Sequence, residues 1–399
     1  MVNFLTSGES HGKQLTVIID GFPAGYPFDL DKLNFQLARR QKGYGRGGRM
    51  KIETDRVEIL SGIRNSKTLG SPITFAVKNK DWENWTKIMH PVDPISADLN
   101  LKEKRLAYET TYPRPGHADL SGGIKFNHKD FRNILERASA RETAARVAVG
   151  SLLRQFMEYF DIQIASHVVS IGSVELPGDY KLPEIDELRE ITENSEVRCV
   201  DKEIEAKMIA EIKDAKKKRD SLGGVAEIIV KNLPAGLGGF SQPEQRLDSL
   251  IAAAIMAVPS VKGFEIGLGF QSAKIRGSDV HDEIFYKKDS NPRKKDFFRK
   301  TNNAGGIEGG MTNGEDLIIR AAAKPISTLN KPLQTVDVLT KKACEAMVER
   351  TDNCVVPAMG VVSEAAIAIV MANAFMNKFG SDNLSEIETN FQNYLKTEY

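Results

Sequence analysis

One pattern occurs twice in this 399-residue chain, 211 residues apart. Residues 14–20 (QLTVIID) form a β-branched, apolar run that reads as a strand. It ends in Gly21-Phe22-Pro23-Ala24-Gly25, after which Asp29 can cap a helix to about Gln41 with Leu30, Leu33 and Leu37 on one face. Residues 227–231 (EIIVK) likewise run into Asn232-Leu233-Pro234-Ala235-Gly236 and a helix over about 244–257. Each helix is followed by a strand (56–60; 263–270), a glycine-rich stretch (Ser121-Gly122-Gly123; 305–310) and further helix. A repeated strand–turn–helix unit confines the chain to two related α/β halves, about 1–220 and 221–399, with the active site drawn from both.

Apolar residues at 41% and charged residues at 27% suit a soluble globular chain with a full-sized core. The longest uninterrupted apolar runs, nine residues at 250–258 and eight at 365–372, fall short of the roughly 18 that span a bilayer. The opening MVNFLTSGES has no basic segment leading into an apolar one, so a cytoplasmic protein without membrane attachment is expected. Cys199, Cys344 and Cys354 show no CxxC or CxxH spacing, which argues against a disulfide framework and against a metal site. A net charge of +1 argues against a nucleic-acid partner and makes any local concentration of cations informative. Residues 131–160 are the strongest helical segment, with a bend expected near Gly150. Residues 202–218 read as a charged surface helix with a thin stripe of Ile204, Met208 and Ile212.

Gly8-Glu9-Ser10-His11-Gly12 matches the GxSxG nucleophile elbow formally, but a strand follows it where an elbow needs a helix. What remains is His11 in a glycine-flanked loop, as readily structural as catalytic. Residues 39–51 (RRQKGYGRGGRMK) hold six cations, four glycines and no acid. Such a stretch is either a solvated loop or a flexible clamp that grips a small polyanion with guanidinium groups. His117 sits between a rigid Pro113-Arg114-Pro115-Gly116 stretch and Asp119. His90, His128, His167 and His281 have no comparable setting. Arg137 and Arg141, at i and i+4, are expected on one helix face, with Glu142 able to pair with a neighbouring arginine. Residues 302–311 form a GGxxGG loop, open to two readings: close packing on a flat cofactor ring, or a plain tight turn.

Taken together, in this order and over nearly the whole chain, these segments resemble the chorismate synthase family. GESHGKQLTVIIDGFP (8–23), ERASARETAARVAVGSL (136–152) and Arg350-Thr351-Asp352-Asn353-Cys354 with Ser363-Glu364-Ala365 resemble its three signatures. RRQKGYGRGGRM, RPGHAD, TNNAGGIEGGMTNG and KPIST are further matches. The resemblance implies a single α/β domain, a β-α-β sandwich, assembled as a homotetramer. It implies 1,4-anti elimination of phosphate from 5-enolpyruvylshikimate-3-phosphate, giving chorismate in the shikimate pathway to aromatic amino acids, with reduced FMN as cofactor. The alternative is a catalytically inactive flavin-binding scaffold.

By the same resemblance His11 protonates the leaving phosphate, His117 keeps the reduced flavin in its reactive protonation state, and Asp352 assists proton removal. Arg40, Arg46, Arg114 and Arg141 would bind the anionic substrate or NADP. Arg137, Ala138, Ser139, Pro259, Ser260, Gly309, Lys324, Pro325, Ile326, Ser327, Thr328 and Arg350 would contact FMN. With no dinucleotide fingerprint in the chain, reduced FMN is expected from outside, from a separate flavin reductase with NADPH as the indirect reductant. The chain departs from the family in having Thr351-Asp352-Asn353 where His-Asp-Pro is common, and Pro259-Ser260 where Asn-Ala is common. The second change removes a side-chain amide and a backbone donor, which implies altered FMN affinity rather than lost chemistry.

Overall fold

The computed structural model describes all residues except 49–52, 96–97, 101–102, 105–106, 108–109 and 350. Gln14–Asp20 forms the expected strand and alternates as a half-buried strand must: Leu15, Val17 and Ile19 point into the core while Ile18 is exposed. It lies between Asn3–Ser7 and Ile73–Lys78, and Val57–Ser61 completes the four-stranded antiparallel sheet. The second sheet runs Val261–Ile266, Leu317–Ala323, Gly224–Lys231, Gln163–Ile171 and Val174–Glu175, again antiparallel. Four helices fill the space between the sheets: Leu30–Gln41, Thr143–Tyr159, Leu247–Met256 and Val356–Phe379. Thr143–Tyr159 packs on the first sheet, Val356–Phe379 on the second, and these two helices pack on each other. The layers make a β-α-β sandwich in one α/β domain.

The two Pro-Ala-Gly turns are built alike. Thr68 Oγ1 donates to the Pro23 carbonyl at 2.6 Å and accepts from the Tyr26 N–H at 3.0 Å. Thr312 Oγ1 donates to the Pro234 carbonyl at 2.6 Å and accepts from the Leu237 N–H at 2.9 Å. Gly25 and Gly236 both have φ of +80°, a conformation that costs glycine nothing. Strand Gln163–Ile171 belongs to the second sheet, although it precedes residue 220.

Several elements differ from the sequence expectation, each for a local reason. Residues 131–160 break at Ser139, whose extended backbone separates Arg132–Ala138 from a short 3-10 turn. The helix Thr143–Tyr159 then runs unbroken through Gly150. Gly150 is there for packing: a Cβ would overlap Ala365 of the neighbouring helix. Gly122 and Gly123 lie inside the helix Asp119–Phe126 instead of preceding one, and residues 305–310 lead into a hairpin and the strand Leu317–Ala323. The second half's helix starts at Leu247, and its next strand spans Val261–Ile266 and gives way to a 3-10 turn from Gly269. Leu30 is exposed, whereas Leu33 and Leu37 are buried. The charged helix Lys202–Lys217 buries Met208 and Ile212 and half-buries Ile204, as its stripe implies.

Val356–Phe379 is the one described helix long and apolar enough to cross a membrane, yet 78% of its apolar window is buried inside the protein. Apolar on all sides, it is the core helix of the sandwich. It also carries one fully buried charge, Glu364. Arg39 reaches the carboxylate with both terminal nitrogens, at 2.6 and 3.0 Å. Arg154 binds the same carboxylate, Ser166 Oγ donates to it at 2.6 Å and Arg198 lies at 3.4 Å. Burial alone would raise the Glu364 carboxyl; the arginines outweigh it and hold the group far below its ordinary value of 4.5.

Glu364→Gln should therefore cost about 3–5 kcal/mol at neutral pH, because it strands buried guanidinium charge. A carboxyl depressed in the folded state stabilises fully above its unfolded value and loses that contribution as pH falls, so the gap to wild type should narrow below about pH 4.5. Denaturant titrations of both chains between pH 7 and pH 3 would show this, and a constant gap would exclude it. Gly150→Ala should destabilise by about 1–3 kcal/mol, opposite to the gain helix propensity alone gives, as overpacking against Ala365 outweighs propensity.

Candidate active site

His11 lies in the loop joining Asn3–Ser7 to Gln14–Asp20. Glu136, on the helix Arg132–Ala138, fixes it twice: Oε2 accepts the His11 backbone N–H at 2.7 Å, and Oε1 lies 2.9 Å from Nδ1. Trp85 stacks on the imidazole at 3.9 Å between centroids. Burial favours a neutral Glu136, but His11 and Arg132 more than offset this and hold its pKa below the ordinary value. Asn79 ties the loop down by donating to the Glu9 and Gly12 carbonyls, and its Oδ1 accepts from Arg141 Nε at 2.9 Å.

His117 is likewise held through its Nδ1 by a carboxylate. Nδ1 lies 2.5 Å from Asp119 Oδ1, and Arg114 grips the same carboxylate through Nε at 2.8 Å and Nη2 at 3.1 Å. Asp119 is fully buried in the first turn of Asp119–Phe126, and burial opposes its ionisation. His117 and Arg114 reverse that and keep it an anion well below the carboxylate range. Arg114 also donates to Thr328 Oγ1 at 2.8 Å and its Nη2 lies 3.0 Å from His117 Nδ1, so its guanidinium is shared among Asp119, Thr328 and His117.

Arg40 and Arg141 converge on Asp55. Arg40 Nη2 donates to Oδ2 at 2.7 Å and Arg141 Nη1 to Oδ1 at 2.6 Å. Burial, then Arg141 and Arg46, pull Arg40 down to about 10 against the opposing attraction of Asp55, leaving it protonated at neutral pH. Among the described residues Arg40 Nε and Arg141 Nη2 have no hydrogen-bond partner, although Arg141 Nη2 lies 3.7 Å from Glu53 Oε2 as an ion pair. Arg46 pairs with Asp352 at 2.9 Å, and Asp352 Oδ1 accepts the Gly47 N–H at 2.5 Å.

His11, His117, Asp352, Arg40, Arg46, Arg114 and Arg141 all line one cavity of about 920 Å³. Ala138, Ser139, Pro259, Ser260, Lys324, Ile326, Ser327 and Thr328 line it too. Lys324 Nζ donates to the Gly116 carbonyl at 2.7 Å, and burial, with Lys262 nearby, lowers its pKa. Ser260 sits at φ +76°, a strained conformation for a residue with a side chain. Pro325 is flanked by two lining residues and is not one itself. Gly309 lies apart, in the turn between Ile307–Glu308 and Met311–Thr312, so for the described residues the GGxxGG loop is a tight hairpin. Arg350 and the end of the basic stretch, Arg49 to Lys51, lie outside the described residues.

Arg137 and Arg141 do not share a face. The break at Ser139 turns Arg137 to the Thr6 and Gly8 carbonyls, at 2.9 and 3.1 Å, while Arg141 enters the cavity. Ser-x-x-Glu at 139–142 is a capping signature, and the Ser139 hydroxyl does accept the Arg141 N–H at 3.3 Å, so the break was signalled locally. Glu142 takes its bland role, pairing with Arg146 at 2.9 Å. Glu136, Trp85, Arg132 and Glu349 are site residues that sequence reasoning misses. Only Glu136 stands in a quoted motif, and nothing local marks its partner 125 residues away.

Fold and cavity together describe an α/β protein with a half-open, arginine-lined pocket suited to a small anionic ligand and two carboxylate-held histidines. The chorismate synthase family model matches residues 2–376. A chorismate synthase of Alkaliphilus metalliredigens is 52% identical over 394 residues, 99% of each chain. That of Geobacter metallireducens is 50% identical over 397 residues, 99% of this chain and 98% of the relative. A crystal structure of chorismate synthase superposes with a TM-score of 0.77 at 40% identity, covering 99% of this chain and 97% of the other. The chain belongs to the chorismate synthase family.

Ser260→Gly should relieve the left-handed strain and stabilise the protein by up to about 1 kcal/mol, measured as the shift in denaturation midpoint. If Ser260 and Lys324 contact the cofactor, the same change and Lys324→Met should each alter FMN affinity. Flavin binding indifferent to both would remove these residues from the FMN site.

Proposed function

We propose that this chain catalyses the 1,4-anti elimination of phosphate from 5-enolpyruvylshikimate-3-phosphate, giving chorismate, as a carbon–oxygen lyase of the shikimate pathway. The observation that carries this reading is the convergence, in one cavity, of His11, His117 and Asp352 with the arginine group around Asp55. A ligand with two carboxylates and a phosphate needs such a group, and the guanidinium groups of Arg40, Arg46 and Arg141, which line the cavity, are suited to its oxygens. Developing charge on the departing phosphate would be met by guanidinium groups fixed beforehand by Asp55, with little reorganisation.

His11, with Nδ1 committed to Glu136, delivers its proton through the other ring nitrogen to the departing phosphate. Imidazole suits this at neutral pH. His117, oriented by Asp119 and Arg114, regulates protonation at the cofactor. Asp352, steadied by Arg46 and the Gly47 N–H, assists removal of the substrate proton. Reduced FMN, when bound, supplies electron density to the eliminating system. Ala138, Ser139, Pro259, Ser260, Lys324 and residues 326–328 would hold it, since all line the same cavity as the histidines. Reduced flavin comes from an outside source, a separate flavin reductase with NADPH as indirect reductant. We further propose a cytoplasmic homotetramer, for which exposed Leu5, Phe240 and Phe270 offer surface. An internal pseudo-repeat is supported by the matching Thr68 and Thr312 turns. The alternative, an inactive flavin-binding scaffold, has no support in relatives named as synthases.

Anaerobic incubation of the purified protein with substrate and dithionite-reduced FMN should release phosphate and form chorismate, whereas oxidised FMN should not support release. His11→Ala and His117→Ala should each cut turnover strongly with folding intact. Losses under about threefold, less than 1 kcal/mol of barrier, would end these role assignments. No phosphate release with FMN still bound would favour the inactive scaffold.

A further inference from the structure

Five charged side chains alternate in sign between the two cavity histidines. Glu136 Oε1 lies 2.9 Å from His11 Nδ1, and Arg132 Nη1 lies 3.1 Å from that oxygen. Glu349 Oε1 is 2.8 Å from the same Nη1, and Glu349 Oε2 is 4.0 Å from Arg114 Nη1. Arg114 then holds Asp119, Asp119 holds His117, and Arg114 Nη2 itself lies 3.0 Å from His117 Nδ1. Glu349 bridges the two arms, since it alone among these residues meets both arginines. It lines the cavity with a side chain 16% exposed, whereas Glu136 and Asp119 are buried.

Three carboxylates face two guanidinium groups along this chain, leaving one negative charge for two imidazoles. One protonated histidine balances the chain; two leave it positive. We propose that Glu349 is a positioning residue that couples the protonation of His11 to that of His117, so that the pair holds one favoured proton. This rests on the reading that both histidines handle protons in the proposed reaction. The coupling is electrostatic, because the arginines between the carboxylates keep their own protons. With Glu349 neutral, Arg132 would turn more fully to Glu136 and Arg114 to Asp119, and each carboxylate would offer less to its histidine. The other charged groups lining the cavity are Asp81, Glu103, Lys324 and the Arg40–Arg46–Arg141 group with Asp352. All are unchanged by a Glu349 substitution.

Histidine ring titrations by NMR on the flavin-free full-length protein, assigned through His11→Asn and His117→Asn, test this. Glu349→Gln should lower both midpoints by about half a pH unit or more, as loss of a nearby negative charge requires. In the wild-type background His117→Asn should raise the His11 midpoint, and in Glu349→Gln that rise should shrink by at least about half. Midpoints of both histidines left within about 0.2 unit by Glu349→Gln, or a His11 midpoint indifferent to His117→Asn, would overturn the proposal. The second result needs no Glu349 variant, so a folding defect in that variant does not shield the idea. A wild-type protein that releases no phosphate would sink the proposed reaction while leaving these titrations to be read on their own.

Discussion

A single buried carboxylate decides how the layers of this protein meet. Glu364 lies on the central helix, in the middle of the sandwich, where an isolated charge would be intolerable. Its compensation comes from four directions: Arg39 on Leu30–Gln41, Arg154 on Thr143–Tyr159, Ser166 on the second sheet and Arg198 beyond Ile185–Asn194. Apolar packing between helices is tolerant of small slides and rotations. A carboxylate that must find several donors at once is not, so Glu364 sets the rotation of the central helix and the seating of its neighbours. The cavity inherits that precision. Met359 and Val362, just before Glu364, line it, and so does Arg40, the residue after Arg39, which pairs with Asp55. Adjacent arginines at one helix end thus serve the core and the site.

The cavity wall is built on the same device, a buried carboxylate that gathers arginines. Around Asp55, burial first and then Arg141 and Arg46 lower Arg40 against the attraction of Asp55, as burial and Arg39 lower Arg198 in the core. Asp55 is itself kept anionic by those arginines against the burial that would raise it. The protein thereby spends folding energy to hold cationic donors in place before a ligand arrives. An anion entering this wall would meet guanidinium groups already fixed by Asp55, and would lose less to reorganisation than it would in water.

What was legible in the sequence follows from how far apart the interacting residues lie. Strand Gln14–Asp20 and the Asp29 cap, which accepts from the Asp31 and Lys32 N–H groups, are written within a few residues of themselves. So are His117 and Asp119, two positions apart. The resemblance to known motifs brought His11, Asp352, Arg40, Arg46, Arg114 and Arg141 into one list, and all of these line the cavity, whereas Arg137 turns to Thr6 and Gly8. Periodicity misleads where a long-range contact overrides it. Gly150 looks like a helix breaker but exists to admit Ala365, 215 positions on. Arg137 and Arg141 look like neighbours on a helix that Ser139 interrupts. Glu349 and Arg132 carry no local mark at all, because their meaning lies only in what the fold brings beside them.

The basic, glycine-rich stretch shows the same point in physical detail. From composition its glycines suggest flexibility, yet Gly43, Gly45 and Gly47 are points of close approach, and only Gly48 among its four has open space around it. Gly45, at φ +88°, would place a Cβ 3.1 Å from Ile212 and 3.2 Å from Cys354, and its carbonyl accepts the Asn353 N–H at 2.7 Å. A Cβ on Gly47 would come 2.8 Å from the Thr351 carbonyl. Side chains at these positions would push the segment away from residues 351–354, and Arg46 would no longer reach Asp352. The glycines therefore bring an arginine near the start of the chain to an aspartate near its end, and the cavity closes on residues from both because nothing bulkier than hydrogen stands between them.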